Sequence, residues 1–259
     1  MEIIFLGTGT STGVPVIAQT AGYIDLDNPK NWRTRTSVHV VMDGRHIQVD
    51  AGPEFRLQCL KNDITWIDTF ILTHGHSDHI AGMDDLRRFC DLRGSEAMPV
   101  YTNPEGERRV KAMFPYAILD RPVVRGYPAF SVVQMPRKLE FPEGTIESIT
   151  LPHGGYDVLG LVFTEASSRK KFAYFTDCSG VPEEGVGLAK CADCVALDGL
   201  REDWHPSHMN FEQAIETAEL IQGKQTWFVH MAGTVNHDPV DAELPNSVRL
   251  AWDGLKVVI

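Results

Sequence analysis

The stretch THGHSDH, residues 73–79, places His74, His76, Asp78 and His79 within six positions. A single histidine is ordinarily a surface residue or a satisfied core residue. Three imidazoles and a carboxylate together are costly to bury without partners. They directly follow the apolar run TFIL, residues 69–72, which reads as a short buried strand. A divalent cation removes the cost, because neutral imidazole and carboxylate are good ligands for first-row metals. In H-x-H-x-D-H the alternate residues His74 and His76 can reach one ion, while Asp78 and His79 continue round the turn towards another. The spacing points to a metal site at the end of a central strand, the usual place for ligands in α/β folds.

Other ligand-type residues stand in similar places. Asp50 closes RHIQVD, His153 follows TLP, Asp177 follows KKFAYFT and His230 follows TWFV. The elements that must position them are mostly strands. EIIFLG reads as a strand running into the glycine-rich loop GTGTSTGVP, and SVHVVMDG with RHIQVDAG as a hairpin turning at Asp43-Gly44. MPVYTN, FSVVQM, TIESITLPHGG, VLGLVFTEA, KKFAYFT, CVALD and QTWFV read as further strands. PEFRLQCLKN, DDLRRFCDL and PEGERRVKAMF suit helices, the last with proline at its first helical position. NFEQAIETAELIQ is a helix with Asn210 as its cap and Gln213 three residues on. SVRLAWDGLKVVI is expected to close the chain as a hairpin turning at Asp253-Gly254. Each half leads with strands and follows with helices, so two mixed sheets packed face to face with helices outside would bring the strand ends together. No linker or repeat divides the chain, and residues 1–259 are expected to form one α/β (α+β) domain.

The chain carries 35 acidic against 24 basic residues, a net charge of −11, which disfavours tight non-specific binding to a polyanion. No long basic run offers a nucleic-acid track. The start MEIIFLGTGT lacks the basic region of a signal peptide, and no apolar run reaches the length of a membrane span, so a cytoplasmic protein is expected. Five scattered cysteines argue for free thiols, with Cys191 and Cys194 expected as small buried residues. The loop 7–13 reads either as tight turns or as an anion cradle, and it lacks the Lys-Ser/Thr pair of a nucleotide triphosphate loop. Arg33 and Arg35, in a polar loop, are expected to be solvated or to contact phosphate, and His237 to be structural or to line the pocket.

VDAG at 49–52, THGHSDH at 73–79, LPHGG at 151–155, FTDCSG at 175–180 and FVHMAG at 228–233 resemble the five ordered motifs of the metallo-β-lactamase superfamily. The resemblance runs from the first strand to the last. It implies a four-layer αββα sandwich with a two-metal hydrolase site at one edge. His74, His76 and His153 would bind one metal, Asp78, His79 and His230 the other, and Asp177 would bridge them. Asp50 would stand behind the ligands and orient them. The metals would be zinc or manganese, with iron possible. An aspartate at the fourth motif, with a histidine at 79, is similar to branches that cleave esters, thioesters and phosphodiesters rather than lactams. The redox di-iron branch resembles H-x-E-x-D-H, and His76 stands where its glutamate would be.

HPSHMNFEQAIETAELIQ, residues 205–222, and the ending ELPNSVRLAWDGLKVVI are similar to a phosphodiesterase branch that contains tRNase Z and cyclic phosphodiesterases. GTGTSTGVP with DNPKNWRTRTS resembles the cyclic-phosphodiesterase subgroup, although residues 16–35 lack the cysteine cluster of close relatives. The resemblance makes His208 a catalytic acid, with His205 as the alternative, and gives Asp78 and Asp50 catalytic importance as ligand and support. The expected activity is hydrolysis of a small phosphate diester, cyclic ones included, by a hydroxide bridging the two metals. Processing of tRNA 3′ ends, and thioester or lactone hydrolysis, are the alternatives, and a non-catalytic binding module is a further one. A small phosphate ester is the expected partner, with no nucleic acid and no membrane; relatives of this kind also form homodimers.

Overall fold

The computed structural model describes residues 1–19 and 24–259. One sheet contains β1 (Glu2–Gly7), β2 (Ser37–Met42), β3 (Arg45–Val49), β4 (Thr69–Leu72), β5 (Met98–Thr102) and β6 (Phe130–Gln134). A second contains β7 (Lys138–Phe141), β8 (Gly144–His153), β9 (Tyr156–Glu165), β10 (Lys171–Phe175), β11 (Cys194–Asp198), β12 (Thr226–Val229) and β13 (Val248–Leu250). The last strand, β14 (Leu255–Val258), returns to the first sheet, giving the orders β14-β1-β2-β3-β4-β5-β6 and β13-β12-β11-β10-β9-β8-β7. Both sheets are mixed. β3, β4, β5 and β6 run parallel, as do β10, β11, β12 and β13, while the remaining pairs are antiparallel.

Side-chain alternation explains the layers. Successive residues of a strand point to opposite faces. In β10, Phe172 and Tyr174 join Phe5, Val38, Val40, Ile47 and Ile71 of the first sheet in the core between the sheets. Ala173 and Phe175 face the other way, with Val195, Leu197 and Phe228, against Ala214, Ala218 and Ile221 of α6 (Phe211–Ile221). On the far face of the first sheet, Phe70, Leu72 and Val100 pack against Phe55 of α1 (Phe55–Lys61). The one-turn α2 (Ser77–Ile80) adds Ile80, α3 (Arg87–Leu92) adds Phe89, and α4 (Pro104–Met113) adds Val110 to that cluster. The result is the four-layer αββα sandwich, and strands buried on both faces account for the near-continuous apolar runs in the sequence.

Two local outcomes differ from the sequence reading. The final segment is not a hairpin: β13 pairs with β12 and β14 with β1, so the chain changes sheets between them. Asp253, at the crossover, accepts the Thr8 and Thr34 backbone N–H groups at 2.9 and 2.7 Å and both their hydroxyls, which fastens the turn to the first sheet rather than folding it on itself. Two helices, α5 (Glu183–Ala189) and α7 (His237–Glu243), are not marked by periodicity. In α5 Gly185 lets the helix lie close on β8 despite its poor helix propensity: a Cβ there would lie 2.3 Å from Ile149 Cδ1, and that side chain would have to shift. No helix among the described residues is long and apolar enough to cross a membrane.

Candidate metal centre

The strand ends converge at one edge of the sandwich. Residues just beyond β3, β10 and β12 leave their strands in left-handed backbone, with φ of 62° at Asp50, 56° at Asp177 and 62° at His230. Non-glycine residues in this region cost energy and concentrate at functional sites. The turn redirects each side chain from the sheet face to the sheet edge. β4 delivers His74 and His76 on an extended loop, and α2 turns Asp78 and His79 inward. His153 ends β8.

The donor atoms of the seven expected ligands fall into two adjoining groups, and two overlapping groups bring in His208, one with His153 and Asp177 and one with Asp198 and His230. Those of His74, His76 and His153 lie within 4.8 Å of one another, as do those of Asp78, His79, Asp177 and His230. Asp177 Oδ2 stands between them, 3.1 Å from His79 Nε2, 3.2 Å from His230 Nε2 and 3.9 Å from His74 Nε2. All but the half-buried His76 are buried.

Asp50 lies behind these groups. It accepts Thr73 N–H at 2.8 Å, Thr73 Oγ1–H at 2.8 Å and His79 Nδ1–H at 2.7 Å. With that nitrogen donating, His79 Nε2 faces the centre with its lone pair. His153 is oriented in the same way, Nδ1 donating to Ser207 O at 2.9 Å. Such outer contacts set the tautomer and direction of ligand imidazoles.

The electrostatics call for positive charge. Burial would push the His79 imidazole down, but Asp177, Asp78 and Asp50 outweigh it and raise its pKa well above the usual histidine range. His230, with burial likewise opposed by Asp177, is raised to about 10. Three buried carboxylates thus draw protons onto neighbouring imidazoles, a potential that divalent cations would also satisfy. His74 Nε2 and both ring nitrogens of His230 are buried without a hydrogen-bond partner among the described residues. An all nitrogen-and-oxygen donor set with orphaned lone pairs fits divalent metal ions.

The chain belongs to the metallo-β-lactamase superfamily. A family model described as the beta-lactamase superfamily domain matches residues 45–231. The chain is similar to ribonuclease Z of Crocosphaera subtropica, with 33% identity over 292 positions covering 90% of this chain and 86% of the relative. It is also 31% identical to a protein named octanoyltransferase from Porphyromonas gingivalis, across all of this chain but only 52% of that protein, so it spans about half that relative's length. Among solved structures, a diphosphatase of the PhnP family superposes with a TM-score of 0.89 and 31% identity, covering 100% of this chain and 97% of the other. These similarities place the superfamily member in the PhnP and ribonuclease Z-like branch and, with the donor set, mark a metal-dependent hydrolase that binds divalent metal.

Beside the donor groups sits His208, buried on the segment leading into α6. Its ring stacks on His230 at 4.6 Å, 12° from parallel, and lies 4.7 Å from His153. Its Nδ1 is 2.6 Å from Asp198 Oδ2, and that same carboxylate oxygen accepts Cys178 N–H at 2.8 Å. His205, half-exposed, has its Nδ1 occupied by Ser207 instead, with N–H at 3.3 Å and Oγ at 3.2 Å. Asp198, the partner of His208, is a residue that the sequence alone did not single out. Its signal was available, since CVALD ends in an aspartate as RHIQVD does.

The remaining sequence candidates are placed away from the donors. Cys178 is turned into the core, with burial, then Asp198 and Asp177, pushing its thiol well up. Cys194 is buried but Cys191 is exposed, at the left-handed turn before β11. Arg33 is neither solvated nor free for phosphate: it is buried, donates to Val235 O at 2.9 Å and Asn31 Oδ1 at 3.2 Å, and burial lowers its pKa to about 10 despite Asp253. Arg35 pairs with Glu54 and donates to Ser11 O. His237 is buried against Trp252, with its backbone N–H held by Asn31 at 2.8 Å. The loop 7–13 is knitted to residues 33–36 through Gly9 and Val14, as turns require. Gly7 is obligatory there, because a Cβ would lie 2.0 Å from Arg35 O. Residues 20–23 of the cysteine-free stretch 16–35 lie outside the described residues.

Proposed function

We propose that the protein hydrolyses small phosphate diesters, with two divalent cations and His208 as general acid. His74, His76 and His153 would hold one cation; Asp78, His79 and His230 would hold the other, with Asp177 shared. When bound, such cations supply Lewis acidity, acidifying water to near neutral pH and neutralising phosphoryl oxygens. Asp50 keeps His79 in the ligating tautomer, and Ser207 does the same for His153.

The observation that carries the reading is the Asp198–His208 pair at the margin of the donor groups. A diester with an alkoxide leaving group needs a proton delivered as its bond breaks, and a positioned imidazolium provides it. The Asp198 carboxylate holds Nδ1 and stabilises the charged ring, leaving Nε2 as the atom that gives up the proton. A thioester needs no such acid, because a thiolate leaves unaided near neutral pH.

A second reading, 3′ processing of tRNA, is favoured by the identity to ribonuclease Z over most of both chains. Against it stand the net charge of −11 and the lack of a basic track. The experiment is a substrate panel on protein with its metals quantified: bis(p-nitrophenyl) phosphate, adenosine 2′,3′-cyclic phosphate, a ribosyl 1,2-cyclic phosphate, precursor tRNA and an octanoyl thioester. Turnover of the small diesters with two metals per chain, abolished in Asp177→Ala, is the expected result. Turnover confined to tRNA would move the assignment to RNA processing. Turnover confined to the thioester would refute both readings and favour acyl chemistry.

A further inference from the structure

Helix α4 begins against the loop that carries His74 and His76. Glu105, in its first turn, accepts the Gly75 backbone N–H on Oε2 at 3.1 Å. Gly75 is the single residue between the two histidines. The approach is close, since a Cβ on Gly75 would lie 2.4 Å from Arg109 Cγ. The Glu105 carboxylate is itself held: Arg109, one helical turn on, donates from Nε to Oε1 at 3.0 Å. The start of the helix is fixed in turn. Asn103 caps it by accepting Gly106 N–H at 2.7 Å, and its Nδ2 donates to Asp157 O at 2.7 Å on β9. The first turn of α4 therefore spans from the loop holding His74 and His76 to the β8–β9 hairpin holding His153.

This support falls where the first donor group lacks another. His74 Nδ1 lies 3.1 Å from Thr73 Oγ1, and His153 Nδ1 donates to Ser207 O at 2.9 Å, so both rings have a fixed direction. The ring of His76 makes no hydrogen bond among the described residues. It is half-buried, edge-on to His74, His153 and Tyr156 at centroid distances of 4.5, 5.1 and 5.0 Å. Its direction depends on its backbone, and that backbone is tied by Glu105. A backbone N–H held by a carboxylate is a charge-assisted bond, roughly twice as strong as a neutral one. The second donor group is oriented from elsewhere, by Asp50 behind His79. We propose that Glu105 is a positioning residue for the first cation, aiming His76 through Gly75, a role that rests on the two-cation reading and not on the substrate.

The test reads metal rather than turnover. Zinc affinity is measured by chelator competition, and the wild type is expected to show two dissociation constants. Glu105→Ala should weaken one of them about tenfold to a hundredfold, as loss of an outer partner does, and leave the other unchanged. Added to Asp78→Ala, the substitution should cost its full factor; added to His76→Ala, it should cost nothing further, because it acts through His76. Glu105→Gln, whose amide oxygen can still accept the Gly75 N–H, should recover part of the loss. Glu107→Ala, which breaks the pair with Lys111 on the same helix, should change neither constant. A Glu105 that merely stabilised the helix would weaken both cations alike or neither, and either result overturns the proposal. So does a full further loss in the His76→Ala background. If the wild type binds a single cation, the two-cation reading fails; the positioning role then stands if Glu105→Ala weakens that cation and Glu107→Ala does not, and falls otherwise. If the two constants split as expected while no diester is hydrolysed, the diesterase reading fails and the positioning role stands.

Discussion

Replacing Asp198 by asparagine tests the proposed acid without touching any of the seven proposed metal ligands. Asp198 is fully buried, and its Oδ2 meets both His208 Nδ1, at 2.6 Å, and the Cys178 N–H, at 2.8 Å. Asparagine has the same shape, so its amide oxygen can still accept the Cys178 N–H and the fold should persist. Its amide group cannot stabilise a charged imidazole as a carboxylate does. A hydrogen bond to a charged group is worth about 1.5–3 kcal/mol, so proton delivery should slow by about tenfold to a hundredfold. His208→Ala, which removes the acid altogether, sets the limit at about a hundredfold to ten-thousandfold. The assay is kcat against leaving-group pKa for a series of aryl and alkyl phosphate diesters, with metal content measured in each variant. Asp198→Asn should keep its metals, barely slow p-nitrophenyl esters and slow alkyl esters most. In His208→Ala, adding Asp198→Asn should cost nothing further, since the two act as one unit. An equal loss for good and poor leaving groups, or additive losses in the double variant, would refute the assignment.

Asp50→Asn should lower metal affinity about tenfold to a hundredfold while preserving the donor set, because the amide no longer enforces the Nδ1–H tautomer of His79; competition with a chelator checks it, and unchanged affinity would refute the supporting role of Asp50. Stability should fall as pH drops below 6.5, in part through His39, whose ring is buried between Gln48 and His46 with burial lowering its pKa to about 4. The unfolded chain takes up that proton near the ordinary histidine pKa of 6.5 and the native state does not, so each pH unit in this window costs about 1.4 kcal/mol. His39→Asn should remove that share of the slope in urea unfolding, and identical slopes for the two proteins would count against it.

The local patterns were legible because backbone periodicity and ligand chemistry are local. His74, His76, Asp78 and His79 lie within six positions, and each remaining donor follows an apolar strand that alternation identifies. The two packed sheets followed from the order of strands and helices and the αββα layering from the family resemblance; strands apolar on both faces, as Phe172 to Phe175 illustrate by feeding both cores in turn, are its physical basis. Tertiary structure alone decided what depends on distant partners. The orientation of His153 is set by a carbonyl 54 residues away, and Asp198 becomes the partner of His208 only because β11 ends beside the segment that enters α6. Arg33 reads as a loop cation, yet it is buried and donates to Val235 O and Asn31 Oδ1, which makes it structural. The C-terminal strands part company because four donors on Thr8 and Thr34 converge on Asp253. Such outcomes rest on which groups meet across the fold. Spacing along the chain specifies what each residue can do, and packing specifies which neighbour it does it with.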